Sequence, residues 1–290
     1  MNQIYSAAEA IVDQDIASER EVCEFLGFSR TAFQRWKAME STTREHSDME
    51  LLPLVTSIFR AHRRRYGARR IIEDLRQHGF DCSRRRVAKL MKIAGLTAIQ
   101  PKSFKPRSTE SRHTLGYSPN LILEFAEPSK SNKLWVGDIT YIPVATLGFC
   151  YLATLMDRFS RKIVGWSLSE DMTERLVMDS LRKAIASRRP EANLIHHTDR
   201  GGQYASTRYR AMIHRASMRQ SMSRAGDCYD NAFMESCFGT IKTELEMTEY
   251  QNYSTAFKEL SAYIRYYNYE RRHSSIGYLT PTQFESTVHC

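Results

Sequence analysis

Three acidic residues stand in settings where chemistry is conceivable. Asp138 interrupts the apolar run LWVGDITYI (134–142), Asp199 follows IHHT in HHTDRGGQY, and Glu235 lies on the amphipathic segment DNAFMESCFGTIKTELE. Taken singly, each has an ordinary reading: a satisfied strand aspartate, a turn residue before Arg-Gly-Gly, a solvated helix glutamate. Taken together, two aspartates on neighbouring strands and a glutamate on a facing helix could surround hard divalent cations, because carboxylate oxygens suit Mg²⁺ and leave it positions for water and phosphate. Two such ions roughly 3.5–4 Å apart can clamp the attacking and leaving oxygens of a phosphodiester. Lys242 lies seven residues beyond Glu235, about two turns on and so nearly on the same helix face. A carboxylate and an amine are thereby presented to the same space.

The elements that must position these groups follow from periodicity. Segments 134–142, 148–156 and 162–168 are rich in β-branched and aromatic residues and are separated by the short turns PVATL and DRFSR, which predicts three successive antiparallel strands. Alternation places Asp138 on the face of Val136, Thr140 and Ile142. A helix is expected over Thr173–Ser187, a strand over Leu194–Thr198 ending at Asp199, a helix over Tyr204–Ala216, a strand over Met218–Met222, and a long helix from Asn231. In that last helix Phe233, Cys237, Ile241 and Leu245 are expected to form the buried stripe, opposite Glu235, Gly239 and Lys242. A helical tail should begin near Asn252. The order β-β-β-α-β-α-β-α predicts an α/β fold, a mixed sheet with helices on its faces. Asp157 opens the tight connection DRFSR and reads as a turn residue.

Upstream, two helix-turn-helix outlines appear. In residues 20–38 an apolar helix with Val22, Phe25 and Leu26 meets Gly27, and Ser29 can cap a second helix carrying Phe33 and Trp36. In residues 66–95, Ile71, Ile72 and Leu75 form a stripe, Gly79 stops the helix, and Ser83 caps a helix burying Val87, Leu90, Met91 and Ala94. Arg84, Arg85 and Arg86 occupy its first turn, where cations oppose the helix dipole; a phosphate backbone there would relieve the conflict. Arg69 and Arg70 extend the basic surface.

Charge is segregated along the 290 residues, whose net is +9. Residues 1–50 hold 5 Lys+Arg and 10 Asp+Glu, residues 51–120 hold 16 and 4, and residues 121–290 hold 21 and 19. A dense positive block points to a polyanion, and nucleic acid is the usual one. Residues 100–120 have linker composition. The expected organisation is a helical segment over 1–50, a basic DNA-binding helix-turn-helix domain over 51–99, a basic linker over 100–125 and the α/β core over 126–290. The six cysteines are scattered without a CxxC pair, which excludes a zinc module and a disulfide scaffold and fits a reducing cytosol. His78 and Cys82 have ligand-like spacing with no second pair, a coincidence. The uncharged stretch Ile139–Met156 is broken by Pro143 and Gly148, so it reads as two strands rather than a membrane span, and the N-terminus lacks signal-peptide order.

The segments WVGDITYI, HHTDRGGQYAS and YDNAFMESCFGTIKTELE resemble the three catalytic boxes of bacterial insertion-sequence transposases with an orfB-type integrase core, members of the DDE superfamily that includes retroviral integrases. The 35 residues between Asp199 and Glu235 match that family's spacing. YNYERRHSSIGYLTPTQF resembles its closing segment, and RRRYGARRIIEDLRQHGFDCSRRRVAKLMKIAGL its preceding helix-turn-helix. The likeness runs from about Glu21 onward; the retroviral N-terminal zinc module is absent.

The resemblance implies an RNase H-like five-stranded sheet, with Asp138, Asp199 and Glu235 as ligands of two Mg²⁺ ions that Mn²⁺ can replace. It implies that Lys242 contacts DNA near the cut, and that Asn231, Arg200, Gly201 and Tyr204 shape the site. The implied reaction is strand cleavage at element ends followed by strand transfer to target DNA, both by in-line attack and without a covalent enzyme intermediate. Tyr266, Tyr267 and Tyr269 near Arg271 and Arg272 could suggest a tyrosine recombinase, but that leaves the carboxylate trio unexplained. Other readings are a helix-turn-helix regulator with a non-catalytic core, and a structure-selective nuclease on the same fold. The implied partners are double-stranded DNA, further copies of the chain on DNA, and an upstream helix-turn-helix and coiled-coil protein that this family often uses; no heptad repeat of its own appears. The implied location is the cytoplasm, on the nucleoid, with no membrane partner.

Overall fold

The computed structural model describes residues 2–38, 43–100, 116–123, 125–224, 232–246 and 249–288. The chain divides into two compact units, Met1–Ala98 and Ile99–Cys290. Of the expected linker over 100–125, residues 101–115 and 124 lie outside the described residues, as do Cys228, Asn231 and Cys290.

The first unit is helical. α1 (Asn2–Asp13), α2 (Glu19–Phe25) and α3 (Arg30–Lys37) enclose a core of Tyr5, Ala8, Val22, Cys23 and Phe33. Phe25 and Leu26 do not join it: Phe25 is 89% exposed, because the inward face of α2 passes through Val22 and Cys23 instead. α4 (Thr43–Ala61) packs on α5 (Ala68–Gln77) and α6 (Arg84–Ile93). Ile71, Ile72 and Leu75 of α5 and Val87, Leu90 and Met91 of α6 are buried. Gly79 takes φ +84° between these helices, and the Ser83 hydroxyl accepts from the Arg86 amide to cap α6.

The second unit is a mixed sheet with helices on both faces. β1 (Leu134–Val144), β2 (Gly148–Asp157) and β3 (Ile163–Ser169) form an antiparallel meander, and β4 (Ile195–Thr198) and β5 (Arg219–Met222) add in parallel, in the order β3-β2-β1-β4-β5. One face is covered by α7 (Glu174–Arg188), α8 (Gly202–Ala205) and α9 (Thr207–Arg215), whose Val177, Leu181, Tyr204 and Tyr209 share a core with Trp135, Ala153 and Leu155. The approach of α7 is close: a Cβ built on Gly165 would lie 2.3 Å from the Ser180 carbonyl. The other side carries α10 (Ala232–Glu244), which packs on β1, and α11 (Tyr253–Tyr269), which contacts β1 and β3. The Asn268 carboxamide there holds both the amide and the carbonyl of Ile163 at 2.9 Å. A 3₁₀ turn (Ser274–Ile276) and α12 (Pro281–Val288) close the chain.

Two expectations for this unit need correction. The single helix over Tyr204–Ala216 is two, because Ser206 is extended and its hydroxyl caps α9 through the Tyr209 amide. The buried stripe of α10 is Met234, Cys237, Phe238, Ile241 and Glu244, while Phe233 is only partly covered. Its ring lies 4.3 Å from the Arg158 guanidinium and 4.2 Å from that of Arg161, so cations rather than the core receive it.

Candidate active site

Trp135 and Ile139 point toward α7, so strand alternation turns Asp138 to the α10 side. Asp138 pairs across β1–β2 with Thr154, a fully buried residue whose hydroxyl has no hydrogen-bond partner among the described residues. The Asp138 Oδ1 accepts from the Ile139 amide at 2.8 Å. Asp199 follows the last residue of β4, the strand beside β1, and its Oδ1 accepts from the Gly201 amide at 2.9 Å. The turn is tight: a Cβ on Gly201 would sit 3.1 Å from that same Oδ1 and 3.1 Å from the Gln203 side-chain oxygen, so a larger residue would press on the Asp199 carboxylate. Glu235 is exposed in the first turn of α10, and Lys242 is partly buried further along the same helix.

Electrostatics show that the four groups share a space. Burial raises the Asp138 carboxyl well above the ordinary carboxylate range, and the negative charges of Asp199 and Glu235 raise it further; the Ile139 amide and Lys242 oppose them. Burial lowers the proton affinity of Lys242, with Asp138 as the opposing influence. Charges at the end of β4 and on α10 therefore act on the Asp138 carboxyl of β1. Among the described residues, no three carboxylate, imidazole or thiol groups close around a common point tightly enough to hold an ion. The donor chemistry nevertheless fits a hard cation, because the repulsion that raises Asp138 is what a divalent charge reverses.

The neighbouring positions differ in what they touch. Tyr204 is buried, its hydroxyl without a partner among the described residues, and burial, then Tyr209, Asp138 and Asp199, push its ionisation far up. It is a neutral phenol in electrostatic range of both aspartates. Arg200 turns to structure: its Nε donates to the Ser223 carbonyl at 2.7 Å and its guanidinium covers the Tyr117 ring. Asp157 ends β2 fully buried and accepts from the amides of Asn132, Phe159 and Ser160, a turn residue that also ties in the segment before β1.

In the helical unit, Arg69, Arg84 and Arg85 are exposed. Arg86 is engaged with Asp48 at 2.6 Å and Ser47 at 2.8 Å, so a carboxylate of α4 already relieves part of the dipole conflict at the start of α6. Arg70 bonds the Arg65 carbonyl and lies over the Tyr66 ring.

Sequence reasoning missed Thr154, because only the strand register brings it beside Asp138. It also missed the anchor of α10: Glu244 and Arg271 form a buried ion pair, with contacts of 2.8 and 3.0 Å, and the Tyr263 hydroxyl donates to the same carboxylate at 3.0 Å. The only signal for it was a glutamate at an inward helical position.

The family described as Integrase core domain matches residues 128–228 and a second family of the same description matches 216–281, while HTH-like domain matches 46–104. The transposase for insertion sequence element IS904 of Lactococcus lactis is 40% identical over 80% of this chain and 91% of the relative. The insertion element IS600 uncharacterized 31 kDa protein of Shigella sonnei is 37% identical over 92% and 98%, and transposase InsF for IS3A of Escherichia coli is 36% identical over 93% and 94%. Among solved structures, a simian T-cell lymphotropic virus intasome bound to PP2A regulatory subunit B56 gamma aligns over 74% of this chain and 70% of that one, at 16% identity and a TM-score of 0.47. The HTLV-2 integrase catalytic core with magnesium aligns over 54% and 98%, at 15% identity and a TM-score of 0.42.

Proposed function

The chain belongs to the insertion-sequence transposases that carry an integrase core domain, and on that premise we propose that Asp138, Asp199 and Glu235 are its catalytic carboxylates. The protein is a DNA transposase, a polynucleotidyl transferase with a helix-turn-helix region before its core. The observation that carries the site assignment is placement: Asp138 lies on β1, Asp199 follows the adjacent strand β4, and Glu235 and Lys242 lie on α10, which packs on β1.

Asp138, Asp199 and Glu235 would hold divalent cations, two Mg²⁺ in this reading with Mn²⁺ as a substitute, which would supply Lewis acidity at the scissile phosphate. The chain's own residues do the rest. Asp138 is fixed by its pairing with Thr154 of β2 and Asp199 by the Gly201 amide, so two of the three donors are preorganised. Glu235 and Lys242 arrive on one helix, the first to complete the donor set and the second to place a cation against the DNA backbone. Tyr204 keeps water from the inner side of the aspartates, Gly201 permits the turn, Arg200 holds the loop to β5, and Asn231 precedes α10. In-line attack by water would break a P–O3′ bond at an element end, freeing a 3′-hydroxyl and leaving a 5′-phosphate, and that hydroxyl would then attack a target phosphodiester and displace the target's own 3′-oxygen.

In the helical unit, Arg84, Arg85 and Arg69 are placed for phosphate contact, and Arg86 and Arg70 support the same surface through protein contacts. The working assembly is several copies of the chain on two DNA ends, with an upstream helix-turn-helix and coiled-coil protein as a further partner. Among the described residues no helix is long and apolar enough to cross a membrane, and we place the protein on the nucleoid.

The test is plasmid nicking and strand joining by purified protein with Mg²⁺ or Mn²⁺, wild type beside Glu235→Gln. Metal-dependent nicked and joined products that vanish in the variant are expected. Equal activity in both proteins would sink the assignment of Glu235.

A further inference from the structure

The matched helix-turn-helix begins at residue 46, so α1–α3 precede it and are assigned no role. Their construction is nonetheless that of a reading unit. The start of α2 is fixed by a reciprocal cap, in which the Ser18 hydroxyl accepts from the Glu21 amide and the Glu21 carboxylate accepts from the Ser18 amide at 2.9 Å. The turn to α3 is short: Gly27 takes φ +69°, and the Phe28 amide returns to the Cys23 carbonyl at 3.1 Å. The two helices are locked by Val22, Cys23 and Phe33 with Tyr5 across them, the Tyr5 and Phe28 rings meeting edge-on at 4.9 Å. Such a pair, joined by a tight glycine turn, is the framework that places its second helix in a DNA groove.

The outward side of α3 has matching chemistry. Phe33 and Trp36 turn inward, which leaves Arg30, Thr31, Gln34 and Arg35 exposed in the i, i+1, i+4, i+5 pattern of a single face. The helix carries Arg30, Arg35 and Lys37 and no acidic residue. The carboxylates of this unit's second helix, Glu19, Glu21 and Glu24, lie on α2, and Glu19 serves to hold Arg30 at 3.0 Å. The acidic net of the first fifty residues thus masks a basic, amide-bearing helix face. Arginine and glutamine are the side chains that pair bidentately with guanine and adenine edges in the major groove, which is wide enough for an α-helix.

We propose that α3 is a second DNA-reading helix, with Gln34 and Arg35 on base edges and Arg30 and Lys37 toward phosphates. The chain then recognises a composite sequence, one part through α3 and the other through α6. This rests on the protein acting on DNA, but not on the carboxylates being its active site.

The experiment is selection of a randomised duplex library by the full-length chain, comparing wild type, Gln34→Ala/Arg35→Ala and Arg84→Ala/Arg85→Ala, with circular dichroism on each. All four substitutions are on exposed helical positions, so the fold should persist. Wild type should enrich a two-part motif. The α3 variant should lose one part and bind the wild-type consensus about 10- to 100-fold more weakly, while keeping the part that the α6 variant loses. An unchanged motif and affinity in the α3 variant would overturn the proposal. So would a motif with no part specific to α3, a uniform loss across all sequences, or no enrichment by wild type; metal-dependent nicking by the same preparation would then show the transposase reading still standing.

Discussion

At the scale of single residues, burial and charge decide which polar groups are tolerated. His196 lies fully buried on the α7 side of the sheet, 2.6 Å from the Tyr209 hydroxyl, and burial, aided by the neighbouring His197, pushes its proton affinity down to about 3. An unfolded histidine titrates near 6.5, so between those values the unfolded chain takes up a proton that the folded chain refuses. Stability therefore falls as pH drops below 6.5. Denaturant titrations should show wild type losing about 2 kcal/mol more than His196→Gln between pH 7 and pH 5; equal losses would mean the imidazole protonates inside the fold. The carboxylates were legible at this scale, because Asp138 in an apolar strand and Asp199 before Arg-Gly-Gly are visible in the string of residues. Thr154 was not readable as a buried hydroxyl near the acids, since a hydroxyl on a strand gives no hint of what faces it, and Tyr204 was reached only through the family resemblance.

At the scale of elements, the strands were readable from β-branched and aromatic runs, and the hairpins from their short turns. That β4 lies in parallel beside β1 is written nowhere locally; it follows from the crossover through α7. The inner face of α10 was misjudged because an acid, Glu244, belongs to it and an aromatic residue, Phe233, does not. Arg271→Ala would remove the cation that faces the buried Glu244 carboxylate, a loss of about 3–5 kcal/mol. Replacing Glu244 and Arg271 together by apolar residues should cost much less, and a double-mutant cycle measures the difference. Additive losses would deny the coupling. On the opposite face, Gly165→Ala would drive a methyl group into the Ser180 carbonyl and Ala184, and should destabilise by about 1–3 kcal/mol as the midpoint of chemical unfolding. An unchanged midpoint would mean that α7 can back away from the sheet.

At the scale of the whole molecule, the chain forms two compact units, and the proposed roles fall on them separately, recognition on the first and chemistry on the second. Residues 99–290 produced alone should retain metal-dependent nicking and lose sequence preference, while residues 1–98 should bind duplex DNA without cutting it. Sequence-selective cutting by the core alone would contradict this division. The change from helical periodicity to strand runs made an all-α part before an α/β core readable, whereas the charge blocks, which change at residues 50 and 120, do not mark the boundary at Ala98; the composite character proposed for the helical unit was hidden by the acidity of α2. The core has one further property that shows at the level of the gene. All three acidic residues are encoded before Glu244, yet the helix bearing Glu235 is held by Arg271, well downstream. A copy of the gene with a premature stop between those two codons would still spell every acidic box and would fail to hold the third in place. Decaying copies of such an element can therefore be silent while the codons of the three proposed catalytic carboxylates remain intact, and the first place to look for the lesion is the 3′ end of the reading frame.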